Sequence, residues 1–221
     1  TVSQSKQEIL VIFNSLMGKS GYTLYDYLEH TGHGEYIRLP FHPTEQTNLV
    51  FRYSAPTLTE ECILLGCRNS GRTTTFYSLQ NTNRGGCIFV RTGGGAVNFG
   101  NIFVNEWYEI VGNSPTWTRE RLSDHTVQTR SWDGTQFTVD YDLYLFAINH
   151  AGAPIGSTAS QSPVNLIQGV KLSAMQVLDG STLIMDLRPA RRSDGRTGYL
   201  DILTNTFHHS ETEYDFLVGN F

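Results

Sequence analysis

The sequence predicts an all-β domain, a sandwich or a barrel, with one short amphipathic helix in front of it. Three observations carry this reading. From Tyr22 onward the chain is a series of short runs rich in β-branched and aromatic residues, separated by Gly, Asn, Asp and Pro. Charged residues make up only 17% of the 221 residues, against roughly 25% in an average soluble domain, while aromatics reach 12%. The helical period is confined to the first eighteen residues, where Ile9, Ile12, Phe13 and Leu16 recur at helix spacing and Leu10 and Met17 widen the stripe. Many closely spaced strands without intervening helices define sandwich and barrel architectures.

The helix is marked at both ends. Ser5 and Glu8 have capping-box spacing, and Gly18 is placed to stop the helix in a left-handed turn. A helix this short is marginal alone in water, so its stripe must be buried: on its own sandwich, in a symmetric bundle, or against a larger assembly. Residues 1–21 are therefore read as a helix and linker for docking or oligomerisation, and residues 22–221 as the β domain.

Expected strands are Tyr36–Leu39, Asn48–Tyr53, Cys62–Cys67, Thr74–Leu79, Cys87–Arg91, Trp107–Val111, Thr126–Arg130 and Gln136–Val139. They continue with Leu143–Ile148, Val170–Leu178, Thr182–Leu187, Gly198–Ile202 and Asp215–Val218. Asp133-Gly134, Asp179-Gly180 and Asp194-Gly195 tolerate positive φ and mark tight turns. The stretch from Asn149 to Pro163 is Gly-, Ser- and Pro-rich without a period and reads as a surface loop.

Several function classes are disfavoured. The formal charge of −5, with scattered Lys and Arg, offers no basic stripe for nucleic acid. No apolar run approaches the roughly twenty residues that span a bilayer, so membrane insertion is not expected. Cys62, Cys67 and Cys87 fit no zinc pattern and read as reduced, mostly buried thiols, with a Cys62–Cys67 link left open. The chain begins on Thr1, so the expectation is a fragment or a processed product. No Gly-x-Ser-x-Gly elbow, His-Glu-x-x-His helix or phosphate loop is present, and Gly93-Gly94-Gly95 reads as a flexible turn.

An ordered set of motifs narrows the fold. Tyr27-Leu28-Glu29-His30-Thr31-Gly32 with Glu35-Tyr36-Ile37 opens it, followed by Leu64-Leu65-Gly66-Cys67-Arg68 and by Leu143-Tyr144-Leu145-Phe146-Ala147-Ile148-Asn149. Then come Met185-Asp186-Leu187-Arg188-Pro189-Ala190, Gly198-Tyr199-Leu200-Asp201, Asn205-Thr206-Phe207 and Phe216-Leu217-Val218-Gly219. Over about Tyr22 to Gly219 this resembles the concanavalin A-like (laminin-G-like) modules of bacteriophage tail, fibre and other virion proteins and of gut bacterial surface proteins. The resemblance implies a two-sheet antiparallel jelly-roll β-sandwich. Where that family has Arg-Asp-Phe-Ile-Pro, this chain has Met185-Asp186-Leu187-Arg188-Pro189, so only Asp186 and Pro189 carry over. These recurrent residues read as fold determinants: Asp186 and Asp201 anchoring turn amides, Gly198 relieving crowding at a bend.

The resemblance also implies what to test for chemistry. Laminarinase-type glycosidases share the sandwich and carry a Glu-x-Asp-x-x-Glu strand; here Glu213-Tyr214-Asp215 starts the pattern, but the third acid falls on Val218. Asp140 and Asp142 alternate without a third partner and read as a solvated face. His30, His33, His42, His208 and His209 read as surface or cap-type histidines rather than metal ligands. No cofactor is expected, with calcium held by rim acids such as Asp124, Asp133 and Asp194 left open.

The expected function is non-catalytic recognition of a glycan or other host-surface receptor by a virion or extracellular module. It would assemble with other virion proteins and with copies of itself, a trimer being the candidate order. A purely structural capsid-decorating or fibre domain, and a bacterial surface adhesin, stand as alternatives. A sugar site needs an exposed aromatic face beside planar hydrogen-bonding groups. Trp117 and Trp132, beside Pro115 and the Asp133-Gly134 turn, are the expected exposed aromatics. Arg68, Asn69 and Arg72 are the expected polar partners, and Trp107 is expected in the core.

Overall fold

The computed structural model describes residues 21–56, 62–69, 76–82, 86–90, 96–113, 115–131, 137, 139–155 and 167–221. In chain order the strands are Tyr22–Leu24 (β1), Tyr27–Glu29 (β2), Ile37–Leu39 (β3), Thr47–Ser54 (β4), Cys62–Arg68 (β5), Phe76–Thr82 (β6) and Gly86–Val90 (β7). Then follow Ala96–Asn101 (β8), Trp107–Asn113 (β9), Thr116–Arg121 (β10), Thr126–Ser131 (β11), Leu143–Leu145 (β12), Ile148–His150 (β13) and Ala153–Ile155 (β14). The last are Lys171–Asp179 (β15), Thr182–Arg192 (β16), Thr197–Asp201 (β17), Thr206–His209 (β18) and Leu217–Gly219 (β19). No helix occurs among the described residues, and the helix and turn expected over residues 1–18 lie outside them.

The strands form two sheets. The larger runs β11-β10-β9-β4-β15-β16-β17-β18, with β1 beside β16, β2 beside β15 and β19 beside β2. The smaller runs β14-β13-β5-β6-β7-β8, with β12 bridging β5 and β3. Pairings are antiparallel except that of β13 with β5. The fold is an all-β, two-sheet sandwich with jelly-roll order.

Alternation makes one face of the central strands apolar. Leu49, Phe51 and Tyr53 of β4, Tyr108 and Ile110 of β9, and Leu172, Met175 and Val177 of β15 turn inward. They meet Ile37, Leu39, Leu65, Tyr77, Leu79, Leu143 and Leu145 from the other sheet in one core. Ile63, Ile148 and Ile155 form a second, smaller cluster apart from it.

Several expectations are corrected. The run Leu143–Ile148 is two strands, because Phe146 adopts φ 65°, its N–H bonding the Leu64 carbonyl at 2.8 Å. That left-handed conformation costs of order 1–3 kcal/mol for a non-glycine residue. It is held by burial of the ring 4.7 Å from Phe216 and 5.7 Å from His30. The stretch expected as a loop from Asn149 begins instead with strand residues of β13 and β14. Phe137 and Val139, expected in a strand, are buried without strand pairing. Tyr22–Leu24, Tyr27–Glu29, Ala96–Asn101, Thr116–Arg121 and Thr206–His209 are strands that were not expected.

The glycine turns fall as expected at Gly180 (φ 57°), between β15 and β16, and at Gly195 (φ 93°), between β16 and β17. Gly198 relieves crowding within a strand rather than at a bend: any Cβ there would meet the backbone of His208 and His209 on β18. Asp201 anchors a turn, accepting from Asp186 N–H at 3.1 Å, Leu203 N–H at 3.1 Å and Thr204 Oγ1 at 2.7 Å. Asp186 has a different role from the one expected, its carboxylate holding Arg188 at 2.9 Å. Cys67 is buried and free, so no Cys62–Cys67 link exists, and burial pushes its thiol well above the ordinary range.

Candidate functional site

The two tryptophans of the described strands exchange the places expected for them. Trp117, nominated as exposed, is 0% exposed and lies in the core. On β10 it pairs with Gly112 of β9, and its ring occupies the space a side chain there would fill. Proximity to Pro115 said nothing about which face the residue takes; the pairing register decided it. Trp107, expected inside, lies on the outer face of β9 and is only partly buried. Trp132 and Arg72 lie outside the described residues.

Arg68 and Asn69 stand at the rim where β5 ends, and both are engaged. Arg68 is buried, with Nη2 at 3.4 Å from His150 Nδ1, while its carbonyl accepts from Ala151 N–H. Asn69 exchanges two hydrogen bonds with Asp140, at 3.2 and 3.0 Å. These contacts tie β5 to β13 and to the segment before β12. They give the expected polar partners a structural task, and the structure does not bring them to Trp117.

What the structure does bring together lies on the outer face of the larger sheet. A cross-strand row runs Leu217, Glu29, Lys171, Ser54 and Trp107 over β19, β2, β15, β4 and β9. Alongside it, Tyr27 faces Ser173 and Arg52 faces Glu109. Tyr27 and Trp107 have ring centroids 5.5 Å apart, and Phe221 stands edge-on to Trp107 at 4.8 Å. Lys171 Nζ lies over the Tyr27 ring at 5.1 Å and 3.7 Å from Glu29. Arg52 holds Glu109 through Nε at 2.8 Å. Gly219 is required here because a Cβ would run into the Tyr27 ring.

The face therefore joins an aromatic platform to two cations and two carboxylates in partly desolvated positions. Aromatic rings present apolar faces and the guanidinium presents planar donors, the combination that recognises polyhydroxyl or peptide surfaces. Sequence reasoning missed Trp107, although a signal existed. Glu109 shares its face by the period of two, whereas Tyr108 and Ile110 share the other, so the charged residue marks Trp107's side as outward.

Several other titratable groups have partners within the fold. His30 is fully buried, correcting any surface placement: Nδ1 accepts from Gly32 N–H at 3.1 Å, so Nε2 carries the proton and donates to the Glu35 carbonyl at 3.1 Å. Burial pulls its pKa below the ordinary value. Glu35, also fully buried, caps the same loop by accepting from Thr31 N–H and, at 3.1 Å, His33 N–H. Asp142 holds Arg38 at 2.5 Å and His42 at 3.1 Å. Asp124 is held far below the usual carboxylate range by Arg121, and Asp194 is lowered by Arg192. Glu213 is exposed in an irregular segment and Asp215 lies 3.6 Å from Arg196, so the pair does not sit on a strand face. Among the described residues no group of three or more His, Cys, Asp or Glu is arranged to hold a metal ion. No described helix is long and apolar enough to cross a membrane.

No family model matches the chain. No curated protein matches it. Solved structures do resemble it at low identity. Domains LG4-5 of the mouse laminin α1 chain align at 14% identity and TM-score 0.46, covering 73% of this chain and 44% of theirs. A native heptameric SAP-like pentraxin from Limulus polyphemus aligns at 12% identity and TM-score 0.41, covering 70% and 76%. A mutant Trypanosoma rangeli sialidase displaying trans-sialidase activity aligns at 14% identity and TM-score 0.40, covering 74% and 31%. The chain thus spans less than half of the laminin and sialidase chains. These neighbours are concanavalin A-like jelly rolls.

Proposed function

We propose that this chain is a non-catalytic recognition module that holds a glycan or another surface receptor on the outer face of its larger sheet. One observation carries the reading: Tyr27, Trp107 and Phe221 form an aromatic platform flanked by Arg52–Glu109 and Lys171–Glu29 on a single sheet face. A pyranose stacks its C–H surface on such rings while guanidinium and carboxylate groups bind its hydroxyls. Site acids already committed to arginine, lysine or backbone partners favour binding over acid–base chemistry. The motif resemblance supplies the setting: a tail, fibre or head-fibre protein of a virion, at the host surface, clustered by its N-terminal segment so that weak single sites add by multivalency.

The test is a binding screen of the purified chain against bacterial surface polysaccharides, with calcium and with chelator, repeated with Trp107→Ala and Arg52→Ala. A specific hit lost in both variants supports the reading. Binding that survives both variants removes this face from it, and silence of the folded protein against every glycan overturns it.

A second reading has its own support. Phe221, held edge-on to Trp107 and by its N–H to Asp26 at 2.9 Å, is 65% exposed and offers an apolar ring to a protein neighbour. That favours a structural capsid-decorating or fibre domain whose outer face packs on neighbouring subunits. A bacterial surface adhesin would use the same face and is separated from a virion module by where the intact protein is found.

A further inference from the structure

We propose that β11 is a self-pairing edge, through which two copies of this domain join antiparallel about a two-fold axis perpendicular to the larger sheet. β11 ends that sheet and pairs with β10 over six residues, Thr126 to Ser131, with no shift in register. No described strand lies on its other side. All its residues are exposed except Gln128, which is half-buried, and Val127 is 57% exposed.

Folded proteins ordinarily blunt such edges with Lys, Pro, bulges or short strands. The other described edges follow that rule. β18 has four residues, and β14 has three, one of them Pro154. β8 is shielded by arginines: Arg130 Nε bonds the Asn98 carbonyl at 3.0 Å, and Arg119 bonds those of Phe99 at 2.7 Å and Gly100 at 3.3 Å. β11 has no Lys, no Pro, no acid and no bulge, and among the described side chains its own Arg130 donates to the Thr129 carbonyl at 2.8 Å.

The strand's side chains select a second copy as the occupant. Pairing with Trp117 and Arg119 puts Arg130 and Gln128 on the inner face, so Val127, Thr129 and Ser131 face outward. A two-fold axis perpendicular to the sheet keeps inner with inner and outer with outer. Centred on Thr129, it sets Thr129 against Thr129, Val127 against Ser131, and Gln128 against Arg130. No like charges meet, and Thr–Thr pairs are favourable across antiparallel strands. Centring on Arg130 instead would set two guanidinium groups against each other, which excludes that register. The same symmetry turns both outer faces the same way, so two Trp107 platforms would meet one surface together. That last consequence rests on the proposed recognition face; the dimer does not.

The test uses the full chain. Thr129→Cys, at the two-fold centre, is expected to give an intermolecular disulfide under mild oxidant, whereas Thr118→Cys on the same face of β10 and the unmodified chain are not. Val127→Lys, at an exposed position, is expected to shift sedimentation mass toward the smaller species without changing the melting temperature. Thr129→Pro should act in the same direction. No Thr129→Cys cross-link, or an oligomer that Val127→Lys leaves untouched, overturns the proposal. Loss of glycan binding with the cross-link intact would count against the recognition face alone.

Discussion

Replacing Gly112 by alanine tests the packing that buries Trp117. Gly112 has no positive φ, so the backbone accepts a side chain there. On conformational entropy alone the change would stabilise by about 0.4–1 kcal/mol. The packing reverses that sign. An added Cβ would lie 2.7 Å from Cε3 of Trp117 and closer still to Cζ3 and Cη2, where carbon atoms prefer roughly 3.5–4.0 Å. The ring is fully buried and cannot swing into solvent. Overpacking of this kind costs about 1–3 kcal/mol, so Gly112→Ala should lower the urea midpoint by a net loss in that range. Trp117→Leu alone should cost about 3 kcal/mol or more through the cavity it leaves. The double variant should cost less than the sum, because the smaller side chain admits the new methyl. Gly112→Ala at or above the stability of the unmodified protein, or strict additivity in the double variant, would refute the argument.

The other predictions rest on separate contacts. Gly198→Ala sets a methyl against the β18 backbone and should loosen that edge, read as faster amide exchange in Thr206–His209 than in β15. Arg119→Met removes the hydrogen bonds to Phe99, Gly100 and Gln128 and should destabilise by at least about 3 kcal/mol, since charged hydrogen bonds each contribute about 1.5–3; a loss under about 1 kcal/mol would show that those carbonyls find other donors. The pH dependence follows from the histidines: burial lowers the pKa of His30, and also those of His150 and His208, from the ordinary 6.5. The unfolded chain then binds protons more readily, so stability is full above about pH 6.5 and is lost as pH falls through the folded-state values. Denaturation midpoints at pH 7.5 and 5.5 check this, and His30→Gln should flatten the difference; stability that rises on acidification would contradict it.

Most strands were legible because their period of two survives in the sequence. Val170–Leu178, Trp107–Val111 and Gly198–Ile202 each appear within a residue or two of their expected bounds. Strands were missed where local content is polar or short: Thr116–Arg121 carries three charges, and Tyr22–Leu24 and Tyr27–Glu29 exist by pairing with long neighbours. Phe146 shows the opposite failure. Its apolar run looks continuous, yet packing against Phe216 and His30 holds a left-handed kink that no local propensity favours.

For the candidate face, the sequence alone held the alternation of Trp107 with Glu109 and of Tyr108 with Ile110, and hence which residues share a side. It also determined the all-β class and the two glycine turns, since these depend on side-chain type and on backbone freedom over a few residues. Tertiary structure decided which side is inside, because a single register between β9 and β10 sets Trp117 over Gly112 and turns Trp107 outward. It also assembled Tyr27, Arg52, Trp107, Lys171 and Phe221 from five separate stretches of chain. Local sequence carries period and turn chemistry, while a binding face is made by strand order and register, which depend on contacts between residues far apart in the chain.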